Sequence, residues 1–104
     1  MKLFLVIPIA VIFISGCIGQ QSETSAVQQA KTDCIDLCLQ QNMSSDLSNG
    51  PCLSNAIADG WVCDVAHSPR TAVDDRPENQ CSAFGKTAQH FVEVDTDCNF
   101  IRGV

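Results

Sequence analysis

Ala88-Gln89-His90-Phe91-Val92-Glu93-Val94 and, beyond Asp95-Thr96-Asp97, Cys98-Asn99-Phe100-Ile101-Arg102 carry the clearest secondary-structure signal in the chain. β-Branched and aromatic residues mark two strands, and the polar break of three residues between them marks a hairpin. Side chains alternate along a strand, so His90, Val92 and Val94 share one face while Gln89, Phe91 and Glu93 share the other. Burying an unpaired carboxylate costs several kcal/mol, more than leaving a phenylalanine partly covered. The expectation is therefore a core-facing valine side, Glu93 turned to solvent, and His90 half-buried as a structural residue.

Upstream, Trp61-Val62-Cys63-Asp64-Val65-Ala66 has the same β-branched and aromatic character and reads as a strand. Leu53 to Asp59 reads as a short helical turn stopped by Gly60. A long polar connection follows, from His67-Ser68-Pro69-Arg70 through Asp74-Asp75-Arg76-Pro77-Glu78-Asn79. Its opposite charges are expected to pair in water, where each pair contributes little. Long ordered loops in small domains are often functional.

A helix is expected over 25–42. Ser25 with Gln28 forms a capping box, and Ala26, Ala30, Cys34, Leu37, Cys38 and Gln41 recur at helical spacing. Turn formers from Ser44 to Pro51 end it. The fold class is α+β: one N-terminal helix followed by a small antiparallel sheet, stapled by disulfides.

At the other end, Lys2 is a short positive head and Leu3 to Ile14 an apolar run of signal-peptide length, interrupted by Pro8 and followed early by Gln20 and Gln21. A membrane span needs about 20 apolar residues. Ile14-Ser15-Gly16-Cys17 resembles the lipobox of prokaryotic lipoproteins, and Cys17-Ile18-Gly19 after it is similar to many archaeal ones. The resemblance implies removal of residues 1–16 and a diacylglyceryl group on Cys17. Two acyl chains suffice for stable anchoring. Residues 17–24 then form a flexible polar tether, and 25–104 a small domain on the extracytoplasmic face of the membrane.

Cysteine parity agrees. Of seven cysteines, spending Cys17 on lipid leaves Cys34, Cys38, Cys52, Cys63, Cys81 and Cys98. Six cysteines in a small exported domain read as three disulfides, each contributing typically ~2–4 kcal/mol. Cys34 and Cys38 sit on one helical face with Cβ atoms ~5–6 Å apart, whereas a disulfide wants ~3.8 Å, so they do not pair with each other. Each reaches a downstream cysteine. Cys38–Cys52 is the preferred pair, because the turn at 44–51 doubles the chain back toward the helix end.

Charge narrows the partners. Setting Lys2 aside leaves five basic residues against twelve Asp and Glu, a net charge near −7. An acidic chain without a basic cluster is no nucleic-acid binder, and anionic headgroups repel it. The lipid, not a charged face, is what would hold it to the membrane.

Chemistry-bearing residues are few. Gly60-Trp61-Val62-Cys63-Asp64-Val65-Ala66 and His90-Phe91-Val92-Glu93-Val94 resemble the nucleophile and histidine segments of the transglutaminase-like thiol hydrolases. That resemblance implies Cys63 as nucleophile, His90 as its base and Asp95 or Asp97 orienting the imidazole. Such chemistry needs Cys63 free. Alternatively Cys63, His67, Cys81 and His90 supply the two Cys and two His that zinc prefers, at spacings unlike a finger. Disulfides compete for the same cysteines. Asn42-Met43-Ser44 is an N-glycosylation sequon at the expected helix end. The leading expectation is a lipid-tethered binding or interaction module without cofactor, acting on a ligand or protein that no motif names; the minimal thiol hydrolase is the alternative.

Overall fold

The computed structural model describes residues 23–104. The expected signal segment 1–16, the expected lipidation site Cys17 and residues 18–22 of the expected tether lie outside the described residues, and the last two residues of that tether, 23 and 24, belong to the helix. The order is helix α1 (Glu23–Asn42), strands β1 (Cys52–Ala58) and β2 (Trp61–Val65), two short 3-10 turns (Ala72–Asp75 and Pro77–Asn79), then β3 (His90–Val94) and β4 (Phe100–Gly103). The four strands form one sheet in the order β1-β2-β3-β4. This is an α+β domain.

α1 starts two residues before the expected cap, so Ser25 lies inside the helix. Its stripe is as spaced: Ala30, Cys34 and Cys38 are buried, Ala26 and Leu37 half-buried, and Gln41 exposed. The small residues bring the helix close to the sheet. They meet Trp61, Cys63, Val65, Val92 and Val94, which share one sheet face and form the main core with Leu47 and Cys98.

The sheet differs from the expected antiparallel one at its centre. β1–β2 and β3–β4 pair antiparallel, but β2 and β3 run parallel, with Trp61↔His90, Cys63↔Val92 and Asp64↔Glu93 opposite each other. Parallel neighbours need a long crossover, and a crossover covers a sheet face. Here the connection from Ala66 to Gln89 lies against the side away from α1, where Cys81 and Ala88 pack on Val62, with Ala83 and Phe91 beside them. Both faces are therefore covered. The valine face is core as expected, with Val92 and Val94 fully buried, but Glu93 is buried too, at 5% exposure. Its charge is paired, which removes the penalty on which the opposite expectation rested.

Leu53 to Asp59 is not a helical turn. Cys52–Ala58 is an irregular edge strand whose pairing with β2 shifts register twice. Nor does Cys38 bond Cys52. The disulfides are Cys34–Cys63, Cys38–Cys98 and Cys52–Cys81. Cys52 packs with the crossover-side cluster, on the far side of the sheet from α1, while Cys98 lies in the helix-side core within reach of Cys38. Cys34 and Cys38 each reach a separate downstream cysteine, as their spacing requires. After β3, Asp95 accepts backbone N–H bonds from Asp97 and Asn99, and Cys98 takes a left-handed φ of 68°.

The polar crossover is ordered around one carboxylate, not held by loose ion pairs. Asp74 is buried and accepts from the backbone N–H groups of His67 (3.0 Å) and Thr71 (2.8 Å). The His67 ring adds a contact from Nδ1 at 2.9 Å. Asn79 and Gln80 side chains donate to the carbonyls of Val73 and Asp74, both at 2.8 Å. Gly50, at φ +66°, closes the other side, since a Cβ there would collide with Asp74 Oδ1.

Candidate functional site

The crossover side of the sheet holds the chemistry. Parallel register sets Asp64 of β2 directly opposite Glu93 of β3, and alternation turns both toward the crossover together with Val62 and Phe91. A cavity of about 200 Å³ opens there, lined by Val62, Asp64, Phe84, Phe91, Glu93 and the two arginines Arg70 and Arg102, and closed by Gln80 and Cys81. Phe84 meets Phe91 edge to face, with ring centroids 5.4 Å apart.

Its charges are unequally satisfied. Glu93 accepts from Arg70 Nη1 at 2.8 Å and from Arg102 Nε at 3.0 Å. Arg70 is further engaged, its Nε donating to the exposed carboxylate of Asp75 at 2.8 Å. Asp64 has no such ion pair: its Oδ1 is sealed from solvent and has no hydrogen-bond partner among the described residues, while the backbone N–H of Val65 favours its charged form. Burial, and then the negative charge of Glu93, push the Asp64 carboxyl up to about 7 against the opposing pull of Arg70. Asp74 goes the other way. Burial raises its carboxyl, but the N–H bonds of Thr71 and His67 and the His67 ring outweigh that and hold it at about 2.

The residues singled out in the sequence fall elsewhere. Cys63 is bonded to Cys34 and stands opposite Val92, not His90. His90 stacks on Trp61, with ring centroids 4.6 Å apart. The Asp95 carboxylate is occupied by the turn that follows β3: burial raises it, and the N–H groups of Asn99 and Asp97 bring it below the ordinary range. The alternative metal set is likewise dispersed, with Cys81 bonded to Cys52 and His67 on Asp74. Among the described residues, no group of three or more His, Cys, Asp or Glu side chains is placed to hold a metal ion. Asn42 is the exposed last residue of α1.

Asp64, Glu93, Arg70 and Arg102 did not emerge from motif reading. A signal was present: Trp61-Val62-Cys63-Asp64-Val65 and His90-Phe91-Val92-Glu93-Val94 each carry a lone acid in fourth place, and the two runs align residue for residue. No family model, curated protein or solved structure matches the chain.

The three disulfides are the chemistry of an oxidising, extracytoplasmic environment. Among the described residues, no helix is long and apolar enough to cross a membrane.

Proposed function

We propose that this chain is a lipid-anchored extracytoplasmic binding module, with Cys17 as the lipidated residue and the disulfide-stapled domain as the recognising part. The observation that carries the binding half is the charge cluster of buried Glu93, half-buried Asp64 and the exposed arginines Arg70 and Arg102 around an aromatic-walled cavity. Ion pairs add little net stability whether exposed or buried, and well-packed apolar residues in place of buried ones are often neutral or stabilising. A small domain that carries such a cluster, with one carboxylate oxygen left unpartnered among the described residues, is reading something with it.

Support for the anchor is the Ile14-Ser15-Gly16-Cys17 motif and the parity it leaves. All six other cysteines are paired with one another, so Cys17 has no intramolecular partner to take.

Detergent phase partitioning of the expressed chain, with intact mass, tests the anchor. The parent is expected in the detergent phase at the mass of a processed, diacylglyceryl-modified protein. Cys17→Ser is expected in the aqueous phase or at precursor mass. A Cys17→Ser protein still processed and acylated like the parent contradicts the proposal.

A further inference from the structure

We propose that the cavity between the β2–β3 pair and the crossover binds a small organic cation, an ammonium group carried on an apolar or aromatic body, with Asp64 as its counter-charge. The proposal deepens the binding-module reading and rests on its binding half alone.

The argument is one of unmatched charge. Arg70 is committed to Glu93, Asp75 and the Asp74 carbonyl through all three of its nitrogens, and Arg102 gives its Nε to Glu93. Glu93 in turn is satisfied at both oxygens. Asp64 is the group left over: its carboxylate draws on the backbone N–H of Val65 and the charge of Arg70, and its Oδ1 has no hydrogen-bond partner among the described residues. An anionic ligand would have to compete with Glu93 for Arg70 and would face two carboxylates. A cation needs no such rearrangement.

The walls select what carries the charge. Val62, Phe84 and Phe91 line the cavity, and Phe84 is 47% exposed, an uncovered aromatic ring at the rim. Aromatic faces are negative at their centres and attract cations, while their area rewards an apolar body. At about 200 Å³ the space is below that of a drug-sized pocket. It suits a small amine.

Protonation follows from the surroundings of Asp64. Glu93 on β3 and Asp74 in the crossover disfavour its charge, Arg70 in the crossover favours it, and Arg102 on β4 lies across the same cavity. An incoming ammonium favours the ionised form, so affinity is expected to fall as pH drops below about 7, by up to tenfold per unit.

The test is a backbone-amide NMR titration of the unreduced full chain in detergent micelles. The probes are phenethylammonium, the matched anion 3-phenylpropionate and the neutral 2-phenylethanol. Phenethylammonium is expected to shift amides of residues 62–64, 80–84 and 91–93 saturably. The anion should shift none, and the alcohol should bind at least tenfold more weakly. Asp64→Asn should weaken the ammonium at least tenfold and abolish its pH dependence. Phe84→Ala, at an exposed position, should weaken ammonium and alcohol alike.

Tighter binding of the anion overturns the charge assignment and leaves a binding module standing. Saturable shifts elsewhere on the domain overturn the site. Shifts by none of the probes overturn the ligand class, whatever Cys17→Ser does in the partitioning experiment. Equal binding by Asp64→Asn and the parent removes Asp64 from the site.

Discussion

On one face of the sheet, Trp61, Cys63, Val65, Val92 and Val94 meet α1 through Ala30, Cys34 and Cys38. On the other, Val62, Asp64, Phe91 and Glu93 meet the crossover around Arg70, Cys81 and Phe84. The same two strands supply both sets by simple alternation. The helix side is apolar and stitched by two disulfides, as a small domain with a limited core requires, and its own cavity, between Ala26, Val27, Trp61 and His90, is lined without a carboxylate. The crossover side carries one disulfide, the buried or half-buried acids Asp64, Asp74 and Glu93, and a charged cavity. Stability accounts for the first face and not for the second, and the chemistry is on the second.

Breaking the disulfides one face at a time should expose that asymmetry most strongly. Cys34–Cys63 and Cys52–Cys81 each span 29 residues of sequence, so loop-closure entropy assigns them nearly equal contributions, roughly 3–4 kcal/mol. Cys34 and Cys63 are also fully buried, whereas Cys52 is half-buried. Replacing the first pair by alanine is therefore expected to cost about 1 kcal/mol more, for the cavity left behind. Urea unfolding of the two double variants measures the difference. Equal losses would mean that the two faces are packed alike.

Next in size is the crossover's own anchor. Asp74→Ala leaves the N–H groups of His67 and Thr71 without their acceptor and is expected to cost about 2–4 kcal/mol in the same assay. Because the folded-state carboxyl of Asp74 is held below its ordinary value of 3.8, its contribution is full above about pH 4 and is lost as pH falls toward 2. An acid titration of Asp74→Asn should show a flatter limb in that window than the parent. A parent limb no steeper than the variant's would remove Asp74 as the organiser.

The smallest effect has the opposite sign. The Asp64 carboxyl is raised, so the folded state holds its proton more tightly than the unfolded chain and stability declines as pH climbs from about 4 to about 7. Asp64→Asn should remove that decline. A gain of about 1 kcal/mol at pH 8, some 4–8 °C in Tm, is expected, with little change at pH 4. Destabilisation at pH 8 would mean that Asp64 has a partner and that the crossover side is as well satisfied as the helix side.

The helix face was largely legible in the sequence, because its determinants are local. Ala26, Ala30, Cys34 and Cys38 repeat at the helical period, and the pentads at 61–65 and 90–94 have β-branched composition. The separation of Cys34 from Cys38 followed from geometry alone. Strand β1 was hidden because Cys52-Leu53-Ser54-Asn55-Ala56-Ile57-Ala58 has weak strand propensity, and its pairing with β2 and the Cys52–Cys81 bond override that preference.

The crossover face was illegible for a different reason. Whether Glu93 is inside depends on Arg70, 23 residues upstream, and on a parallel pairing that neither strand signals by itself. Local alternation correctly divided the two faces. It had no means of showing that both would be covered.

That two-sided architecture has a covalent signature. Mass-spectrometric mapping of peptides from the unreduced, alkylated protein should recover Cys34–Cys63 and Cys38–Cys98, which tie α1 to one face, and Cys52–Cys81, which ties β1 to the crossover on the other. No alkylated thiol should appear among these six cysteines. A Cys38–Cys52 bond would contradict it, because that pairing would bring the start of β1 to the helix side. An alkylated Cys63 would contradict it too, and would reopen thiol chemistry on the face assigned here to stability.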